Sequence, residues 1–287
     1  MDRGSEIADF LRTRRARVTP DQAGLPDDRR VRRVPGLRRD EVARLANVST
    51  EYYTRLEQGR GGNPSPEVLD ALASALRLDD SERAHLVDLC GRKAARRSRP
   101  VAQRVRQGLL LTLQSLESVP AFVIGHRMDV LAVNRLGREV IADFDAMPAA
   151  ERNIARFTLL NPAARERIAD WEQAGADTVA VLRFQAGRHP GDRQLADLVG
   201  ELTVRCPEFS GWWNDHHVLR RTHGVKRYRH PVVGDMEFNY ESFEVPGDPE
   251  QALCVYNVEP GSASAEALRL LGSWTSPRAE VAPEPRA

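Results

Sequence analysis

RRDEVARLANVSTEYYTRLEQGR, residues 38–60, is the stretch from which the rest of the chain is read. Over 38–46 the apolar positions Val42, Leu45 and Ala46 recur at helical spacing, which predicts a short amphipathic helix. Asn47 breaks the pattern. Ser49 then offers a good N-cap for a second helix through Gln58, and Gly59 supplies its stop. The residue pivoting between two such helices must take a positive φ, which glycine does best and asparagine does among few others. Ala43, Val48, Tyr53 and Leu56 are expected to hold the pair at the angle that lays the second helix in a major groove. Ser49, Thr50, Glu51, Arg55 and Gln58 then face outward, toward base edges. Arg55 suits guanine O6 and N7, and Glu51 suits a cytosine amino group. Arg38, Arg39 and Arg60 bracket this face and suit phosphates.

Five helical segments fill the first ninety-odd residues. A helix near 5–18 places Ile7, Phe10 and Leu11 on one face, with Arg12, Arg14, Arg15 and Arg17 mostly outside it. The polar loop TPDQAGLPDDRRVRRVPG comes next. Ser65-Pro66 opens the fourth helix, whose buried stripe is Val68, Leu69, Leu72, Ala75 and Leu76. Asp79, reinforced by Glu82, caps the fifth, which turns Leu86, Leu89 and Cys90 inward. The run RKAARRSRP has no apolar face, so a DNA-binding domain over 1–95 is followed by a linker at 96–100.

Beyond the linker, residues 101–275 read as a mixed α+β domain. AFVIG (121–125) and DVLAVN (129–134), separated by HRM, predict a hairpin. Helices occupy about 135 to 219, punctuated by Pro162, Gly175, Pro190 and Pro207. Strands return at 225–231, at 235–243, where Met236, Phe238 and Tyr240 alternate with polar residues, and at 253–259. The tail, 276–287, is too rich in proline and charge to order.

Composition narrows the function classes. The net charge of +1 divides unevenly: residues 1–100 hold 21 Lys and Arg against 16 Asp and Glu, and the remainder holds 21 against 25. A basic head on an acidic body suits a polyanionic partner for the head. Three distant cysteines, Cys90, Cys206 and Cys254, suit buried thiols, and the N-terminus lacks a signal-peptide core, so a cytoplasmic protein is expected. His216 and His217, beside Asp215 with His223 and His230 near in sequence, form no metal-ligand spacing, and a structural role is expected. No phosphate loop, dinucleotide fingerprint or GxSxG elbow is present, so neither a cofactor, a metal nor an enzymatic activity is expected.

The segments PGLRRDEVARLANVSTEYYTRLEQGR, PSPEVLDALASALRLDDSERAHLVDL, VIGHRMDVLAVN, NPAAR, WWNDHHV, RHPVVG and YNVEPGSASAEALRLL resemble the Xre/Cro-type helix-turn-helix regulators that carry an MmyB-like ligand-binding domain. Asn47 stands where that family usually has glycine. The resemblance implies a lambda-repressor-like head, a PAS-like second domain and a transcription regulator that binds double-stranded DNA as a homodimer. It also implies a small apolar ligand such as a fatty acid. The wall residues expected for it are Phe122, Ile124, Val133, Phe238, Tyr240 and Tyr256 from the strands and Phe157, Leu182 and Trp212 from the helices. Arg220, Arg221 or Lys226 would meet a carboxylate. Two alternatives stay open: a dimerisation or partner-binding module with a filled core, and an enzyme.

Overall fold

Local signals place the first five helices. The computed structural model describes residues 3–25, 36–91, 103–220 and 222–275; the linker at 96–100, the tail at 276–287, Arg221 and most of the polar loop lie outside them. Helices α1 (Arg3–Arg17), α2 (Arg39–Leu45), α3 (Thr50–Glu57), α4 (Pro66–Ala75) and α5 (Asp80–Cys90) match the expected spacing. Side-chain oxygens of Ser49, Ser65 and Asp79 accept the backbone N–H groups of Tyr52, Val68 and Glu82, three of the donors that a helix start leaves orphaned. Leu37, Val42, Tyr53, Leu56, Leu72, Leu76 and Leu86 from these elements close one apolar core with Phe10 and Leu11 of α1.

The arginines of α1 depart from expectation. Arg14 and Arg15 are buried, not outside the apolar face. Each has found an acidic partner across the core, which makes burial of its charge tolerable.

Further along, α6 (Gln107–Ser115), β1 (Ala121–Gly125), β2 (Val130–Val133), α7 (Arg135–Val140), α8 (Ile154–Leu160), α9 (Pro162–Arg167), α10 (Trp171–Arg188), α11 (Arg193–Arg205) and α12 (Phe209–Asn214) lead to β3 (His223–His230), β4 (Gly234–Val245), β5 (Asp248–Asn257) and α13 (Ala263–Thr275). Gly175 does not interrupt a helix: α10 runs through it. A glycine inside an 18-residue helix costs only about 1 kcal/mol relative to alanine, less than the rest of the helix supplies. Helices α6 and α13 add to the elements expected from periodicity.

All five strands pair antiparallel in the order β2-β1-β5-β4-β3. Leu109 and Leu113 of α6 pack on one face of this sheet, against Ala121, Val123, Leu253 and Val255. Asn134 ties the hairpin to the start of α7. Its carboxamide accepts the N–H groups of Ala121 and Gly137 and donates to the carbonyls of Leu116 and Val119, all within 3.0 Å.

The residues form two compact units. One gathers Met1–Val101 with Gly175–Arg220; the other gathers Ala102–Ala174 with Arg221–Ala287.

Candidate nucleic-acid interface

The turn between α2 and α3 is built on Asn47, at φ 52°. Its neighbour Val48 donates its N–H to the Ala43 carbonyl at 2.9 Å, the six-residue return bond of a left-handed helix terminus. Ala43 is buried and Val48 packs against the same core, so the turn is held from both sides. Glycine at 59, φ 72°, ends α3 in the same way, with Arg60 N–H donating to the Arg55 carbonyl at 2.8 Å. A side chain at 59 would also strike the backbone of Gly4.

This geometry buries Tyr53 and Leu56 and turns the opposite face of α3 outward. Ser49, Thr50, Glu51, Arg55 and Gln58 are all exposed, as are Arg39 and Arg60 at its edges; Arg38 is half-buried. The backbone N–H of Arg38 donates to the Glu41 carboxylate, which caps α2.

Glu57, absent from the expected site, shares the buried stripe of Tyr53 and Leu56 and organises the base of this surface. Its buried carboxylate accepts Arg15 Nε and Nη2 at 2.7 and 2.8 Å, a two-pronged pair, while Arg15 Nη1 donates to the Leu37 carbonyl. Arg39 reaches the same carboxylate from α2 at 2.9 Å. One acidic side chain thus joins α1, α2 and α3. Burial pushes the Glu57 carboxyl up, but hydrogen bonding and charge from Arg15, with Arg39 adding to them, hold it below the usual carboxylate range. The Arg15–Glu57 bond in turn raises the Arg15 guanidinium. A glutamate on an apolar stripe was the available signal, because an unpaired buried carboxylate is too costly to keep.

In the second unit the strand candidates Phe122, Phe238, Tyr240 and Tyr256 gather on one face of the sheet. Phe122 meets Tyr256 edge-on at 5.5 Å, and Tyr256 lies 5.9–6.2 Å from Phe238, Tyr240 and Tyr228. Val133 pairs in register with Phe122, and Lys226 with Phe238. Ile124 is half-buried on β1. Phe157 of α8 packs edge-on against Phe144 at 5.7 Å. Leu182, Trp212 and Arg220 belong to the other unit.

Family comparisons bear on both units. A helix-turn-helix domain model matches residues 6–86. The model of the MmyB-like transcription regulator ligand binding domain matches residues 105–271, more than half of the chain. The chain belongs to the MmyB-like transcription regulators. It carries a helix-turn-helix domain followed by an MmyB-like ligand binding domain.

Over 267 residues this MmyB-like regulator is 27% identical to a protein named DNA ligase from Rhizorhabdus wittichii. That alignment takes in 86% of this chain and 36% of the relative, so the chain spans little more than a third of its length. Such a match gives no ground for assigning ligase chemistry here. Among the described residues no helix is long and apolar enough to cross a membrane.

Proposed function

We propose that this regulator reads specific DNA sequence by seating α3 in the major groove. Ser49, Thr50, Glu51, Arg55 and Gln58 meet base edges, and Arg38, Arg39 and Arg60 meet phosphates. The observation that carries this proposal is the turn at Asn47. It leaves the start of α3 capped, exposed and free of apolar side chains while the opposite face is buried. The compact helical head is of lambda-repressor-like type. One such head covers a half-site only, so two copies bind a near-palindromic operator as a homodimer.

Binding-site selection from a random duplex library tests the assignment. Arg55→Ala is expected to lose about 1–3 kcal/mol on the selected site and relax one base position. Arg60→Ala is expected to weaken all sequences alike and flatten the salt dependence. Wild-type affinity and base preference in Arg55→Ala would overturn the placement of α3.

The second domain, over 101–275, is of PAS-like type and senses a small apolar ligand, with a fatty acid as the class to test first. The sheet order 2-1-5-4-3, with helices inserted between β2 and β3, supports the fold assignment. The aromatic plaque of Phe122, Phe238, Tyr240 and Tyr256 supports the ligand class. It offers an apolar wall, with tyrosine hydroxyls and Lys226 as the polar groups beside it. A fatty acid should raise the melting temperature by mass action, and Val133→Trp should abolish the increment. No shift across acyl chains of several lengths would overturn the ligand class.

A further inference from the structure

The core of the DNA-binding head contains residues from far along the chain. Phe184 of α10 and Val218, after α12, sit in the same apolar cluster as Phe10, Leu11, Leu56 and Leu86. Residues 175–220 lie inside the span matched by the ligand-binding model, yet they form one compact unit with the helix-turn-helix. Helix α10 is continuous across this division. Its first turn, Trp171–Ala174, belongs to the second unit, where the Trp171 indole donates to the Thr158 carbonyl at 2.7 Å.

A buried group of charges accompanies those apolar contacts. Arg183 of α10, 2% exposed, donates through Nη2 to Nδ1 of His216 at 2.6 Å and stacks on the Trp213 ring at 4.6 Å. The same Nη2 lies 3.2 Å from His216 Nε2, and arginine has no acceptor, so one of the two ring nitrogens must be unprotonated to accept it. Arg14, on α1, donates to the His216 backbone carbonyl, and its Nε lies 3.0 Å from Glu82 of α5. Glu82 also takes Arg17 at 2.7 Å. Glu6 of α1 approaches Arg183 at 3.5 Å. His85 of α5 lies edge-on to Phe10 and against Gly187 of α10, where no β-carbon would fit.

These charges are incompletely matched. Arg14 Nε, Arg183 Nε and His85 Nδ1 are all buried without a hydrogen-bond partner, the Arg14–Glu82 approach lacking the alignment of one. Arg14 and the half-exposed Arg17 share Glu82, Arg183 meets Glu6 with Asp9 farther off, and two histidines stand beside the arginines. Burial, helped by the charges of Arg183 and Arg14, holds His85 down to about 3. Burial pushes Arg14 down to about 10. An apolar contact of the same size is often as stable or more so, because under-satisfied buried charge is costly. A contact with this composition is suited to opening.

Its position links it to α3. Arg14 and Arg15 are adjacent on α1 and point to different partners. Arg14 takes His216, and Arg15 takes Glu57 at the end of the helix assigned to base reading. Residues just past the end of α12 and residues of α3 thus meet α1 at two successive positions.

We propose that Arg183, His216 and Arg14 form a buried latch by which residues 175–220 set the posture of α1 and α5, and with it the affinity of the head for DNA. The latch deepens the DNA-reading proposal by supplying a route of regulation. Coupling is reciprocal, so DNA bound at α3 must alter the latch as the latch alters DNA binding.

Hydrogen exchange on the full chain, with and without a saturating duplex selected by the protein itself, tests this. The duplex should protect α3 and also change exchange in residues 209–218 by at least about threefold. Arg183→Met, which keeps the apolar stem, should abolish the second effect and shift DNA affinity about fivefold, within the usual range of coupling between sites. If Arg183→Met does not fold, Glu6→Gln at the edge of the cluster should reduce the effect on 209–218. Protection of α3 with no change in 209–218 overturns the latch and leaves the recognition helix in place. Protection of another helix instead of α3 overturns the recognition assignment, and exchange in 209–218 still judges the latch. A lowered melting temperature with unchanged DNA affinity in Arg183→Met marks the cluster as structural only.

Discussion

His85 and His216 should make the protein lose stability well above the pH at which its carboxylates titrate. Both side chains are buried, with exposures of 1% and 8%. Burial, then the charge of Arg183, holds His85 at about 3 and His216 at about 4, against 6.5 for an ordinary histidine. The other groups that face them are Arg14, for His85 the His216 ring, and for His216 Asp9 and Arg12. Folding therefore favours the neutral rings. That contribution is fully present above pH 6.5 and shrinks as pH falls below it, because the unfolded chain takes up protons that the folded chain refuses. At pH 5 the loss is about 2 kcal/mol for each ring, or about 4 kcal/mol together. Urea unfolding at pH 7.5, 6.0 and 5.0, followed by tryptophan fluorescence, measures it. The comparison is with His85→Leu combined with His216→Asn. His230 is also lowered by burial and keeps its own share of the slope in both proteins. His85→Leu should be near neutral at pH 7.5, since it removes an orphaned polar atom. An equal loss of stability between pH 7.5 and 5 in wild type and double variant would refute the assignment of these rings as buried and neutral.

Three further outcomes rest on the same geometry. Glu57→Gln strands the buried Arg15 charge and should cost about 3–5 kcal/mol in urea unfolding; a cost below about 1 kcal/mol would show that the pair is solvated. Asn47→Val forces a β-branched residue to φ 52° and should cost about 1–2 kcal/mol, while Asn47→Gly should be tolerated. Equal melting temperatures for those two variants would place the turn in another conformation. A fragment of residues 1–95 lacks Phe184 and Val218, worth about 1.5–3 kcal/mol each when fully buried. It should unfold at lower urea than the head in the intact chain, and an unchanged midpoint by circular dichroism would remove the 175–220 segment from the head's core.

What was legible in the sequence is what short-range chemistry encodes. Ser49, Ser65 and Asp79 cap helices because a side-chain oxygen two or three residues from a free N–H has few other choices. Asn47 takes a positive φ because few other residues do, and Met236, Phe238 and Tyr240 alternate because strand geometry has a period of two. The exposed face of α3 comes from the same arithmetic. Helix α6 escaped notice because its apolar run, QGLLLTLQS, carries no side-chain cap at its start.

Tertiary structure alone decided the pairings. Periodicity puts Arg14 and Arg15 outside, since burying a charge is prohibitive without a partner. Nothing near them in sequence reveals that Glu57 stands 42 residues from Arg15, or that the His216 carbonyl stands 202 residues from Arg14. The ring of His85, lying between Phe10 and Phe184, is likewise invisible to a helical wheel of α5. Helix starts, turns and strand faces are local properties and can be read one window at a time. The matching of buried charges depends on which distant surfaces meet, and only the folded chain brings those together.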